Sequence, residues 1–215
     1  MEQDARDRRK ATAAAGFTGD RATAAAGIDD LDPRVRAAAL RSCDRLELLT
    51  ADMLAAALRD SHPHVRMAAL ELAASRTSPP VGALLDDDDV RVVEQAAWAC
   101  GERPHDSAVT ARLIDLAQTH DDPLVREASV AALGAIGNDR GLPAILAATT
   151  DKPAVRRRAV LSLAAFEGPE VDAAWERART DRDRQVRDAV EELLGPASPD
   201  EPTAPVDTAA DHDSE

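Results

Sequence analysis

Three short clusters carry the side chains best suited to metal binding or proton transfer: His62-Pro63-His64, His105-Asp106 and His120-Asp121-Asp122. A metal would need imidazole and carboxylate groups to converge on one point. Each cluster instead stands at the start of an apolar helical run, where His and Asp accept hydrogen bonds from orphan amides. The capping role is the better reading, and no metal ligand is assigned. Asp86 to Asp89 places four carboxylates in a row, without the Gly turn and distal Glu of a calcium loop. A solvated, self-repelling turn that ends in an N-cap is expected there. Cys43 and Cys100 are the only cysteines. Both fall inside apolar helical patterns, which predicts buried thiols and no disulfide framework. No G-x-S-x-G, Walker loop, Rossmann fingerprint or paired-Cys motif is present, so no catalytic residue and no cofactor is assigned.

The elements that position these groups are repeats. The dipeptide Val-Arg recurs six times, with valines at Val35, Val65, Val90, Val125, Val155 and Val186, spaced 30, 25, 35, 30 and 31 residues apart. The short step followed by the long one predicts a shortened connection before Asp86 and a longer one after it. A period of about 30 residues holds two helices of about 10 to 14 residues and two turns, the unit of a helical solenoid. Asp32-Pro33 and Asp122-Pro123 supply an N-cap oxygen and a first helical residue with no donor to waste. Val125, Ala128, Ala132, Leu133 and Ile136 then fall on one helical stripe. Partner helices are predicted over 50–59, 78–85, 106–118, 139–149 and 169–179, with Gly137, Gly141, Gly168 and Gly195 at helix ends.

A cation in the first turn of a helix faces the positive end of the helix dipole. The arginine after each valine therefore needs compensation, and Asp residues in an adjacent turn are expected to supply it. The result would be a structural ladder of Arg36, Arg66, Arg91, Arg126, Arg156 and Arg187. Trp98 aligns with Leu133 and Leu163 of later repeats and is expected to be buried. Trp175, flanked by Glu176 and Arg177, is expected to be partly exposed and is the first candidate for a partner contact. Arg157 and Arg158, beside Arg156 in the densest basic cluster, are further candidates.

Composition agrees with an all-α body. Hydrophobic residues make up 44% of the 215-residue chain but aromatics only 2%, so Ala, Leu and Val must build the core, as close helix packing permits. With 26 Lys and Arg against 40 Asp and Glu, the formal net charge is -14, which disfavours general binding to phosphate backbones. The mixed-charge start lacks the apolar run of a secretory signal, and no segment has the apolar length of a membrane span. A cytoplasmic protein is expected. Residues 1–19 read as an N-terminal capping helix, 20–194 as the solenoid, and 195–215 as a disordered acidic tail without periodicity.

The D-D-P-x-V-R and A-x-x-x-A-L-G pattern, complete in Asp121 to Gly134, resembles the HEAT repeats of the phycobilisome-lyase-like class. The resemblance covers about residues 20–194. The stretches near Gly19, Ala96 and Ala132 look like small actinobacterial HEAT-repeat proteins. It implies an α-solenoid of about six antiparallel helix pairs and, as for HEAT arrays in general, an interaction scaffold with a protein partner. Some HEAT proteins are enzymes. Relatives of deoxyhypusine hydroxylase hold two irons with His-Glu pairs, and no His-Glu pair occurs here. Lyase-like activity leaves no motif to test, and a DNA-binding solenoid of the alkylpurine-glycosylase kind is a further alternative. The expectation is a right-handed stack whose Val-Arg helices line a concave groove for a protein, with nucleic acid disfavoured.

Overall fold

The computed structural model describes residues 2–104 and 106–195, and every regular element among them is helical. In chain order these are α1 (Glu2–Thr18), α2 (Arg21–Ala26), α3 (Pro33–Arg45), α4 (Ala51–Ala57), α5 (Pro63–Ala73) and α6 (Val90–Gly101). There follow α7 (Ser107–Thr119), α8 (Pro123–Ile136), α9 (Leu142–Ala148), α10 (Pro153–Ser162), α11 (Pro169–Arg179) and α12 (Arg184–Leu194). Local chemistry accounts for the starts. Asp32, Asp89, Asp122 and Asp183 each accept the amide two residues on, and proline opens α3, α5, α8 and α10. His62 caps α5 in the same way, its Nδ1 accepting the His64 amide at 3.2 Å.

The helices form two rows. In the first, α1, α3, α5, α6, α8, α10 and α12 each pack on the next. The second holds α2, α4, α7, α9 and α11, shorter on the whole. Buried Ala, Leu and Val run as one core from Ala37 to Ala174, with smaller clusters at the two ends. Contacts join successive units, so the molecule is an α-solenoid. Small residues let first-row helices approach closely: a Cβ on Gly134 of α8 would stand 2.6 Å from the Ser162 Cβ of α10.

The helix predicted over 78–85 does not form. A 3₁₀ turn, Gly82–Asp86, takes its place in the second row, after a cis Ser78–Pro79 bond. Consecutive prolines explain this: Pro79 is pushed from the α region by the ring after it, and Pro80 has no amide to donate. Val81, Leu84 and Leu85 are still buried, so the turn fills the slot with fewer residues.

Along one edge, arginines of the first row bridge successive units. Arg36 grips Asp60 with two bonds of 2.8 and 2.7 Å and donates to the Asp30 carbonyl at 2.8 Å. Arg66 treats Asp87 and the Asp60 carbonyl alike, as Arg126 does Asp151 and the His120 carbonyl. Arg156 repeats the arrangement with Asp181 and the Asp151 carbonyl. The same aspartates accept amides of their own turns, from Asp32 for the first of the series, Asp30, to Asp183 for Asp181. Forked bonds to carboxylate plus a carbonyl answer the unfavourable dipole. Arg187 donates to the Asp181 carbonyl at 2.6 Å and has no carboxylate partner among the described residues. Arg8 of α1, which lies outside the Val-Arg pattern, joins the ladder by gripping Asp30.

Arg91 stands outside this ladder. It pairs with its own cap, Asp89, at 2.7 Å, as Arg34 pairs with Asp32 at 2.9 Å. The cap sets the register: Val92, two residues past the Val-Arg match, occupies the place of Val35 and Val125, and Val93 occupies the ladder position. The acceptor position opposite holds His120, whose Nδ1 accepts the Asp122 amide at 3.1 Å. One rung has thus lost its cation and its carboxylate together.

Candidate interaction face

Because α6 starts at its Asp89 cap, its register lies two residues from the Val-Arg match. Trp98 no longer matches Leu133 and Leu163; it matches Ala131 and Leu161, on the outward side of the first row, while Cys100 matches the two leucines and is buried. Trp98 is 43% exposed, contrary to the expected burial, and Leu124 at the second helical position of α8 is 54% exposed. Trp98, Leu124 and Ala131 border a depression of about 280 Å³, together with Glu94, Glu127 and Arg158. An indole beside an exposed leucine, ringed by charges of both signs, has the make-up of a protein contact patch.

Of the contact residues chosen from sequence, Arg158 borders this depression, and Trp175 and Arg157 do not. Trp175 is half-buried at the junction of two core clusters, and its Nε1 donates to the Val160 carbonyl at 3.1 Å. Its flanking charges, Glu176 and Arg177, are exposed, and Trp175 itself is partly exposed, as expected. Arg158 reaches the depression and lies 3.7 Å from Glu127 across the α8–α10 gap. Arg157 is half-buried and has no carboxylate partner among the described residues. The signal that would have found Trp98 was the cap: Asp89, not the Val-Arg dipeptide, marks the helix start.

Where the second row lacks its helix, a cavity of about 560 Å³ opens between the Gly82–Asp86 turn and α7, lined by Cys100, Arg103, Val109 and Arg112 among others. Burial pushes the Cys100 thiol up to about 11, which keeps it protonated at neutral pH. Arg103 spends its donors on the carbonyls of Ala73 and Thr77. In the Asp86–Asp89 run, Asp86 pairs with Arg112 and Asp87 with Arg66; Asp86 and Asp88 are exposed, and Asp89 caps α6, as expected for the run. Among the described residues no three His, Cys, Asp or Glu side chains gather as a metal site. His105 and the tail 196–215 lie outside the described residues. No helix among the described residues is long and apolar enough to cross a membrane.

Comparison with known proteins agrees with the architecture. Two engineered proteins of known structure are similar, at 17% identity over 80% of this chain and 93% of theirs with a TM-score of 0.56, and at 19% over 80% and 95% with 0.59. A designed armadillo repeat protein in complex with the peptide (KR)4 is 17% identical over 80% of this chain and 96% of its own, with a TM-score of 0.59. At these identities the likeness is one of fold. No curated protein matches the chain. The family model for HEAT repeats matches residues 78–153 and 110–195, together more than half of the sequence. With rows of paired helices, successive packing and that match, the chain belongs to the HEAT-repeat family.

Proposed function

We propose that this protein is a non-catalytic scaffold that binds a protein partner on the outward face of its first row, with Trp98 and Leu124 at the centre of the contact. The observation that carries the reading is the exposed indole of Trp98 beside the exposed Leu124. Trp is enriched among the residues that dominate binding energy, and no packing need places it outside. The patch is flanked by Glu94, Glu127 and Arg158, which would orient a partner and exclude wrong ones. The mechanism is surface complementarity, with no bond made or broken. A designed armadillo repeat protein of like fold holds a peptide, which is consistent with this use of the surface. Within the family, the D-D-P-x-V-R units favour the phycobilisome-lyase-like class of repeats and small actinobacterial relatives, and the cytoplasm is the proposed setting.

The test is photo-crosslinking in the native cell from a reactive residue placed at position 98 or 124, with positions 111 and 118 on the exposed side of α7 as controls. The first two positions should yield the same crosslinked protein, identified by mass spectrometry, and Leu124→Ala should weaken the yield from position 98. Equal crosslinking from α7, or none from the first row, would overturn the reading.

A further inference from the structure

We propose that the α1–α3 end of the first row is a second docking groove, built for an acidic segment of a partner protein. A groove of about 460 Å³ runs between α1 and α3, with His64 of α5 beside it. Arg9 and Lys10 come from α1, Arg41 and Arg45 from α3, over a floor that includes Ala13 and Ala38. Arg6 borders an adjoining depression one turn earlier on α1.

Three features set this cluster apart in a chain of net charge -14. First, Arg6, Arg9 and Lys10 have no hydrogen-bond or carboxylate partner among the described residues, whereas the neighbouring Arg8 is consumed by Asp30 and the ladder. The ladder therefore does not account for these cations. Second, Phe17 is 77% exposed at the α1 end, and the Arg45 guanidinium lies 4.0 Å over its ring. The pair offers an apolar and cationic shelf for a side chain. Third, no carboxylate is among the residues lining the groove, and the proton on His64 is disfavoured, by burial first and then by Arg41, His62, Arg91 and Arg34. Arg34 and Arg41 are paired with Asp32 and Glu71; the charge left to a ligand is that of Arg6, Arg9, Lys10 and Arg45.

Unpaired cations held together by the fold repel one another, and a ligand that carries carboxylates relieves this. A peptide fits better than a nucleic acid. Asp32 and Glu71 stand on the same face, and the strongly acidic body repels a long phosphate backbone, while an Asp- and Glu-rich segment needs only the groove and can set one apolar side chain on Phe17.

The experiment uses the full chain and a fluorescein-labelled octapeptide of Asp and Glu with one central Leu, followed by anisotropy. Saturable binding is expected, weakened at least about tenfold by the double variant Arg9→Glu and Lys10→Glu and several-fold by Phe17→Ala. It should also weaken several-fold on raising salt from about 50 to about 300 mM. These residues are exposed, so helix content by circular dichroism should not change. The inference rests on the first row being a binding face but can fail or survive by itself: Leu124→Ala should leave peptide affinity within about twofold. No saturable binding of the acidic peptide, or no loss in the double variant, would overturn it. Tighter binding of duplex DNA would assign the groove to nucleic acid instead. Tighter binding of a peptide of residues 196–215 would assign it to the chain's own acidic tail.

Discussion

Val93 and His120 replace an arginine and an aspartate at one rung of an otherwise repeated edge, and the pair of changes makes sense only together. A ladder arginine lost alone would strand a carboxylate; an aspartate lost alone would strand a cation at the start of a helix. His120 keeps the acceptor that the turn needs, toward the Asp122 amide, without needing a cation opposite. The prediction is a double-mutant cycle. Val93→Arg alone, at a site 3% exposed, should lower stability in urea by about 2 to 4 kcal/mol, and His120→Asp alone by about 1 kcal/mol or less. The double variant should recover about 1.5 kcal/mol or more as coupling; strict additivity would show that the rung cannot be rebuilt there. A second prediction concerns Ser129, whose buried hydroxyl has no partner among the described residues. Ser129→Ala should raise stability by about 1 kcal/mol, read as a higher urea midpoint.

At the scale of elements, α3, α5 and α8 are plain in the sequence because a capping side chain, Pro and the Val-Arg pair coincide. In α6 they do not: Val90 takes the place of the opening proline, so the dipeptide shifted by two and carried Trp98 from the surface into the predicted core. The missing second-row helix was hidden for a different reason, since Val81, Leu84 and Leu85 have the spacing of a buried helix and only the two prolines argue otherwise. Arg8 was invisible because α1 lacks the pattern altogether. How close the helices stand was partly legible in the A-L-G motif. Gly134 lies 2.6 Å, by its missing Cβ, from the Ser162 Cβ, and the Ser162 hydroxyl donates to the Val130 carbonyl at 3.2 Å. Gly134→Ala should therefore lower stability by about 1 to 3 kcal/mol despite alanine's better helix propensity. Adding Ser162→Gly, which removes the opposing Cβ, should restore part of the loss in thermal unfolding. An unchanged melting temperature in the single variant would mean that α8 and α10 can part freely.

For the whole molecule, the edge carboxylates set the response to acid. Hydrogen bonds from Arg34 and Arg91 hold Asp32 and Asp89 down to about 2. Asp30, Asp151 and Asp181 are lowered chiefly by Arg8, Arg126 and Arg156, and at Asp60 burial works upward but is outweighed by Arg36 and the His62 amide. Each group binds its proton less readily folded than unfolded, where an aspartate titrates at about 3.9. Their contribution is thus complete above about pH 4 and is lost as pH falls through the folded values, which for Asp32 and Asp89 are about 2. Because each unit is held only by its neighbours, lost rungs should act along the array together. The urea midpoint should fall steeply between about pH 4 and about pH 2. The Asp181→Asn variant should show a shallower fall from a lower start, with faster amide exchange in α12 and little change in α3. A midpoint flat across that range, or exchange spread evenly over the chain in the variant, would mean that apolar packing alone sets the stability and the charged edge is ornament.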